Sequence, residues 1–471
     1  MDPASEPSLL DFCPELLHNI ISYTNVPDCA ALAKSCTVLR NFLKDNRILW
    51  KEMYLKTWDK PPQDPAKPEL DWEHESQHLV NCQKLVASQD DELQRESFPD
   101  ITTAVDHLLQ TADTDYGTSR NIALLRELFE DRHVADVLLS SSSLYRIAGS
   151  ESQKPASSPE ARQLSAKLKV LAGSFSDTYA TKSAYSTLPV ARSIVYDIRR
   201  YNRRNLWGPF LDDGSHDVDW EKMEAIMADL AHNTRLFNDK VYNVTEIDWD
   251  EPFRGVTPGS YRSVEHAASQ DGLGQPRASR MPREIQGPTG DEDPYGITGM
   301  WKRIVCFLDY NDFCAFNFTD ALPLPHARAP VHKHEAIRLI NLQIRVTNLT
   351  PPGPNDGQDL PIAHVRGESR SLHTSWDPNA NSQIRGTVRM TREGEVRWTT
   401  VSIFHGEARW RSEGVQVGGL KSARGVLGTW FEKDYDDHGP CGPTAFWKLN
   451  DDYNIDEGRV FPHGNEELEL E

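Results

Sequence analysis

Cysteine is scarce in this chain: seven in 471 residues, widely spaced, with no Cys-x-x-Cys. The odd number and the spacings argue against a disulfide framework and a zinc ribbon. Long apolar runs are missing too. No stretch approaches the roughly 18 apolar residues of a membrane span. The first twelve residues hold no Lys, no Arg and no long apolar run, which argues against a secretory signal and for a cytoplasmic or nuclear location. Positive charge is in deficit, 51 Lys and Arg against 71 Asp and Glu, and the net charge of -20 repels nucleic acid and anionic membrane unless basic residues are concentrated somewhere. Neither is an expected partner. What remains is a soluble composition, 38% hydrophobic and 26% charged, with room for roughly three domains.

The first sixty residues carry helical periodicity. In "FCPELLHNIISYTNVPDCAALAKSCTVLRNFLKDNRILW", Pro14 suits a first helical position and Glu15 complements the dipole there. Leu16, Leu17, Ile20 and Ile21 share a face. Asn25, Val26 and Pro27 end that helix, and Asp28 is the expected N-cap of a second, which lines up Leu32, Cys36, Leu39 and Leu43. A third begins near Asp45 or Asn46 and turns Leu49, Trp50, Met53 and Tyr54 inward. Three such helices offer more apolar surface than they bury among themselves, so part of it faces something else.

This order and spacing resembles the F-box: a Pro-Glu-Leu-Leu start, an Ile-Ile-Ser-Tyr end to the first helix, Pro-Asp before the second and a closing Leu-Trp. The resemblance implies docking on the Skp adaptor of a cullin-RING ubiquitin ligase, with the rest of the chain recruiting a protein substrate. It assigns the adaptor contact to Cys13, Pro14, Glu15, Leu16, Leu17, Ile20, Ile21, Pro27, Leu32, Cys36, Leu39 and Trp50. Cys13 stands where the family usually has Leu, a smaller contact. The other reading is a three-helix cap packed on its own chain.

"PPQDPAKP" cannot continue a helix and reads as a spacer. From there to about Asn238 the period is mostly helical. Ile122, Leu125, Leu128 and Phe129 form one stripe. Val190, Ile194, Ile198 and Tyr201 form another, with Pro189 at the helix entry, and Met223, Ile226, Met227 and Leu230 a third behind an Asp219 cap. Such stripes read as core. "SESQKPASSPEA" reads as an exposed loop, and residues 253–295 as a flexible linker or insertion without apolar period.

After Gly296 the pattern turns to strands: "MWKRIVCFLDY", "FCAFNF", "AIRLINLQIRVT", "QIRGTVRM", "EVRWTTVSIF", "EARWRSEGVQV", "GVLGTWFEK" and "TAFWKL". About eight strands on tight turns suit a closed antiparallel barrel, with a two-sheet sandwich as the alternative. "GITGMW" and "GVLGTW" echo one another and place Trp301 and Trp430 at a barrel floor. "GGLKSARGVLG" has neither the P-loop spacing nor the dinucleotide-loop spacing, and a strand follows it. It reads as a barrel corner and not as a phosphate cradle. The β-rich phrases, among them "GTWFEKDYDDHGPCGPTAFWK", are similar to those of a group of fungal F-box proteins, and more loosely to F-box proteins whose C-terminal barrel holds a degron. That likeness implies a receptor role.

Catalytic and metal motifs fail on spacing. "DYDDHG" begins like a calcium loop, but Ala445 occupies the twelfth position where a bidentate Glu belongs. His332 and His334 lack a third ligand. There is no Gly-x-Ser-x-Gly, and Cys306 and Cys314 read as core thiols in apolar strands. No cofactor and no catalysis are expected. Local charge says more. Between Gln383 and Arg424 lie seven Arg and one Lys against four Glu. Arg385 and Arg389 share a strand face, as do Arg409 and Arg411 around Trp410. With Trp301, Arg397, Trp398, Arg424 and Trp430 they make a candidate substrate surface for an acidic, phosphorylated or C-terminal degron. The competing reading pairs these arginines with acids of the same chain.

The expectation is an α+β chain: an F-box at 8–60, a helical connecting region at 69–240, a linker at 253–295, a β-barrel-like domain at 296–450 and an acidic tail at 451–471. Its function is to be the substrate-recognition subunit of a Skp-cullin-F-box ubiquitin ligase. The alternatives are a β-barrel small-molecule binder or enzyme with an incidental helical cap, and an F-box adaptor acting outside ubiquitination.

Overall fold

The computed structural model describes residues 9–62, 68–148, 158–174, 183–241, 249–261, 292–320, 322–324, 326–372, 381–435 and 438–451. Helices come first: α1 Pro14–Ser22, α2 Val26–Ser35, α3 Thr37–Leu43, α4 Arg47–Thr57, α5 Trp72–Val86, α6 Asp91–Glu96, α7 Phe98–Thr111, α8 Arg120–Glu130, α9 Arg132–Leu138, α10 Ser143–Ile147, α11 Pro159–Ala172, α12 Ser183–Val195 and α13 Trp220–Val241. The strands follow: β1 Gly299–Leu308, β2 Glu335–Thr350, β3 Ile362–Ser371, β4 Ser382–Met390, β5 Val396–Phe404, β6 Glu407–Gln416, β7 Val426–Glu432 and β8 Cys441–Asn450, with α14 Tyr310–Phe318 after β1. Each strand pairs antiparallel with its sequence neighbour, and β8 returns to β1 to close an eight-stranded barrel. A sandwich is ruled out.

The N-terminal module has four helices where the period predicts three. Cys36 is the break. Its backbone is extended (φ -155, ψ 162) and its thiol accepts from the Leu39 amide, so one apolar stripe is split between α2 and α3. The cap of α2 is Asn25 and not Asp28: Asn25 accepts from the Asp28 amide at 2.8 Å while Asp28 sits at the third position of a capping box. Leu49, Trp50, Met53 and Tyr54 of α4 are fully buried, each such side chain contributing about 1.5–3 kcal/mol. Tyr54 packs on Trp58 and Trp72, ring centroids 5.1 and 5.2 Å away, which carries the core from the first helices into α5.

Other expectations change in detail. Pro189 lies inside α12. Helix α11 starts at Pro159 behind a Ser158 cap, so the end of the expected loop is helical. Residues 253–261 are packed rather than linker-like: Phe253 and Val256 are fully buried, and Phe253 meets Phe129 edge-on at 5.4 Å. Residues 262–291 and the acidic tail from 452 lie outside the described residues. "FCAFNF" is helix α14, capped by Asp309, because its aromatics and Cys314 have no strand alternation to present. The eighth strand is instead β3, "IAHVRGESRS", whose polar residues alternate with Ala363 and Val365 and hide the run from a hydrophobicity scan.

One side of the barrel packs on the helices. Ile304, Cys306, Leu339, Val415, Leu427, Ala445 and Trp447 join the helical core. A buried ionic joint sits there: Arg192 of α12 donates to Asp229 of α13 at 3.0 Å and to Glu335 of β2 at 2.6 Å, and Tyr196 donates to the other Glu335 oxygen. Burial, and then the neighbouring Glu335, push the Asp229 carboxyl well up. The glycine-rich connection from β6 to β7 is the corner expected of it. Gly418 and Gly425 hold φ of 89° and 99°, and a side chain on Gly418 would meet Val256 O at 2.4 Å.

Candidate functional site

Two surfaces carry the chemistry, one at each end of the chain. On the first, helix α1 is amphipathic in an unusual sense, with apolar residues on both sides. Leu17 and Ile21 point into the module at 5% and 1% exposure, while Leu16 and Ile20 stay out at 50% and 42%. Phe12 (43%) extends the same outer stripe by one turn, and Leu10, Tyr23, Val38 and Ile48 add exposed apolar area on the same module. A monomer leaves such a group uncovered when something else covers it. Of the residues named from the sequence, Cys13, Pro14, Glu15, Leu16, Ile20 and Pro27 are exposed, and Leu32 and Cys36 half-buried. Leu17, Ile21, Leu39 and Trp50 are buried and hold the helices in place; Trp50 Nε1 donates to Leu43 O at 2.9 Å. Phe12, Tyr23, Val38 and Ile48 are exposed as well, which helical period alone does not disclose, since it does not say which of two apolar faces a residue takes.

Residues 9–51 match the family model of the F-box domain. The chain carries an F-box domain. No curated protein and no solved structure matches it. F-box domains typically bind the Skp adaptor of cullin-RING ligases, and the exposed stripe of α1 lies within the matched residues.

The second surface is the barrel. The expected arginine face is dispersed. Arg397 and Arg411 flank Glu413, bonding its two oxygens at 3.0 and 2.8 Å, and Arg411 also donates to Tyr435 at 2.9 Å. Glu413 is fully buried; burial raises its pKa, but the two guanidiniums outweigh that and hold it below the ordinary carboxylate value. Arg389 stands 3.5 Å from Asp356. Arg424 is 2% exposed and donates to Leu171 O, fastening the β6–β7 corner to α11. Arg389, Arg397 and Arg411 thus stand beside acids of the same chain, while Arg424 is fastened to a backbone carbonyl. Arg385 is different: it stands in register between Arg366 of β3 and Val401 of β5, and Arg366 faces Arg345 of β2. Three arginines thus lie side by side on the outer wall, and Arg366 and Arg385 have no acidic partner among the described residues. Arg409 is exposed and lies 5.3 Å from the Trp410 ring.

The tryptophans separate too. Trp301 and Trp398, 2% and 1% exposed, meet at 5.1 Å and close on Phe446 at 5.9 and 5.3 Å, so they plug the lower interior and do not frame a pocket. Trp430 is not part of that floor. It lies five positions into β7 where Trp301 lies three into β1, and it meets Trp410 edge-on at 5.3 Å toward the opposite end.

Above the plug the interior is polar. Strand alternation puts Arg303 on the same inward face as Trp301. Its side chain spans the barrel: Nε donates to Thr444 Oγ1 on β8 at 2.9 Å and Nη2 to Ser412 Oγ on β6 at 2.5 Å. It is 5% exposed, and burial lowers its pKa to about 10 with no carboxylate near enough to oppose the shift. Around and above it Thr400, Ser402, Ser382 and Ser369 face inward through the register of β3 to β6. The signal is present in the sequence, since a period of two from Trp301 lands on Arg303, but a single cation does not stand out beside clusters of charge.

Proposed function

We propose that this F-box protein is the substrate receptor of a Skp-cullin-F-box ubiquitin ligase, docking on the Skp adaptor through the outer face of α1 and presenting the barrel to a protein substrate. The observation that carries the reading is the pairing, in one chain, of an F-box with exposed Leu16 and Ile20 and a separate closed barrel whose interior is polar above its plug. Neither half needs covalent chemistry. The receptor works by proximity: a substrate held on the barrel experiences a high effective concentration of the ubiquitin-charged enzyme that the ligase recruits.

The test uses proteins captured by the full chain and a reconstituted ligase. A variant carrying Leu16→Asp and Ile20→Asp should capture the same proteins but no longer support their ubiquitination. If that variant supports ubiquitination as well as the wild type, or if no captured protein is ubiquitinated by the wild-type ligase, the receptor reading is wrong.

A further inference from the structure

A buried guanidinium without an anion is an expensive arrangement, several kcal/mol per ion in real proteins, and Arg303 is the case in this barrel. Every other strongly buried arginine described above has either an acid beside it or a structural carbonyl to fasten: Arg192 has Asp229 and Glu335, Arg424 has Leu171 O. Arg303 has two neutral hydroxyls. Of the five N–H groups of a guanidinium, two are used. The two on Nη1 and the second on Nη2 find no acceptor among the described residues. Nη1 and Nη2 together bound the end edge of the fork, an edge that a carboxylate meets bidentately.

The surroundings select the anion. The hydroxyls of Thr400 and Ser402, inward neighbours of Arg303 across the barrel, make no hydrogen bond among the described residues. Toward the end away from the plug, Val305 is half-buried and Trp410 is half-buried beside Trp430, an apolar wall next to the hydroxyls. At the rim Arg338, exposed and 5.9 Å from the Phe307 ring, adds positive potential. Glu432 lies on the same rim, directly opposite Trp410 in the register. One cation at the floor neutralises one negative charge. A dianion would keep a net charge in a site that has lost its water.

We infer that the upper interior of the barrel is a binding pocket for an organic carboxylate with an apolar body, in which Arg303 takes the carboxylate and Thr400, Ser402, Val305 and Trp410 line the rest. A peptide C-terminus and a small carboxylic acid share this chemistry. Holding a protein substrate in this way rests on the receptor reading, but the pocket's chemistry does not. Loss of adaptor docking would leave the pocket untouched, and an empty pocket would leave docking untouched.

The probes are N-acetyl-leucine, its neutral amide, inorganic phosphate and an unrelated-sequence octapeptide ending in leucine with a free carboxylate, titrated calorimetrically into the full chain. N-acetyl-leucine should bind, the amide at least tenfold more weakly, and phosphate no better than the amide. Tighter binding of the octapeptide than of N-acetyl-leucine assigns the carboxylate to a peptide end, and equal or weaker binding assigns it to a small acid. Arg303→Met should weaken carboxylate binding by about a hundredfold or more. Its thermal midpoint should be unchanged or higher, since an apolar side chain replaces an unpaired charge. Binding of N-acetyl-leucine that survives Arg303→Met, equal binding of the amide, preference for phosphate, or no carboxylate binding to the folded wild type at millimolar concentration each overturns the proposal.

Discussion

The Asp59 carboxylate accepts a 2.6 Å hydrogen bond from Ser119 Oγ, 60 residues further along the chain. Backbone amides of Asp113, Arg120 and Asn121 converge on the same carboxylate at 3.0, 3.0 and 3.3 Å. This is the joint between the end of the F-box module and the start of α8. Burial raises the Asp59 pKa, but the converging donors outweigh it and hold the group below its ordinary value. A folded value below the unfolded one, about 3.9, means stability present above that pH and lost as pH falls through the folded value. Asp59→Asn should cost about 1–3 kcal/mol at neutral pH and flatten the acid limb of a denaturation profile. An unchanged limb would remove Asp59 from the joint.

Glu413 should be the most sensitive acid of the barrel wall. Glu413→Gln leaves Arg397 and Arg411, 14% and 11% exposed, without their anion. Removing one partner of a buried ionic group costs about 3–5 kcal/mol, to be measured as a shift in urea midpoint at constant slope. A loss under 1 kcal/mol would mean that solvent reaches the pair.

The two faces of α1 should separate stability from docking. Leu17→Ala empties a buried site and should cost about 2–5 kcal/mol, whereas Leu16→Asp changes a half-exposed position and should leave the thermal midpoint within a degree or two. The opposite pattern would exchange the faces.

The arginine row of the outer wall should be a stability liability. Like charges directly opposite on neighbouring strands repel, so Arg366→Thr should stabilise by about 0.2–1 kcal/mol at low salt, and the gain should shrink in 1 M salt. Destabilisation instead would show that Arg366 has a partner that holds it.

How far the sequence discloses this molecule depends on which physical rule each segment obeys. Alternation of apolar and polar residues made β1, β2 and β4 to β8 legible, and the barrel with them. It fails for β3, where His364, Arg366, Glu368, Ser369, Arg370 and Ser371 outnumber the aliphatics Ile362, Ala363 and Val365, and it misleads at Phe313 to Phe318, where apolar content without alternation belongs to a capped helix. The F-box was legible because Pro14, Pro27 and Trp50 fix helix ends and core at set distances. Its contact face was less so, since Leu16 and Leu17 look alike until the neighbours of each are known. The unpaired arginine of the barrel interior is hard to read from the sequence for a similar reason. Arg397 and Arg411 form a local excess of charge, but Glu413 neutralises them from within the same strands, while Arg303 is isolated in sequence and unneutralised in space.

The measurement closest to the central claim is size-exclusion co-purification of the full chain with a Skp adaptor, beside the variant carrying Leu16→Asp and Ile20→Asp. The wild type should elute as a stoichiometric complex, and the variant, with an unchanged thermal midpoint, should elute apart from the adaptor. A folded wild type that fails to bind, or a variant that binds as well, would contradict docking through the outer face of α1.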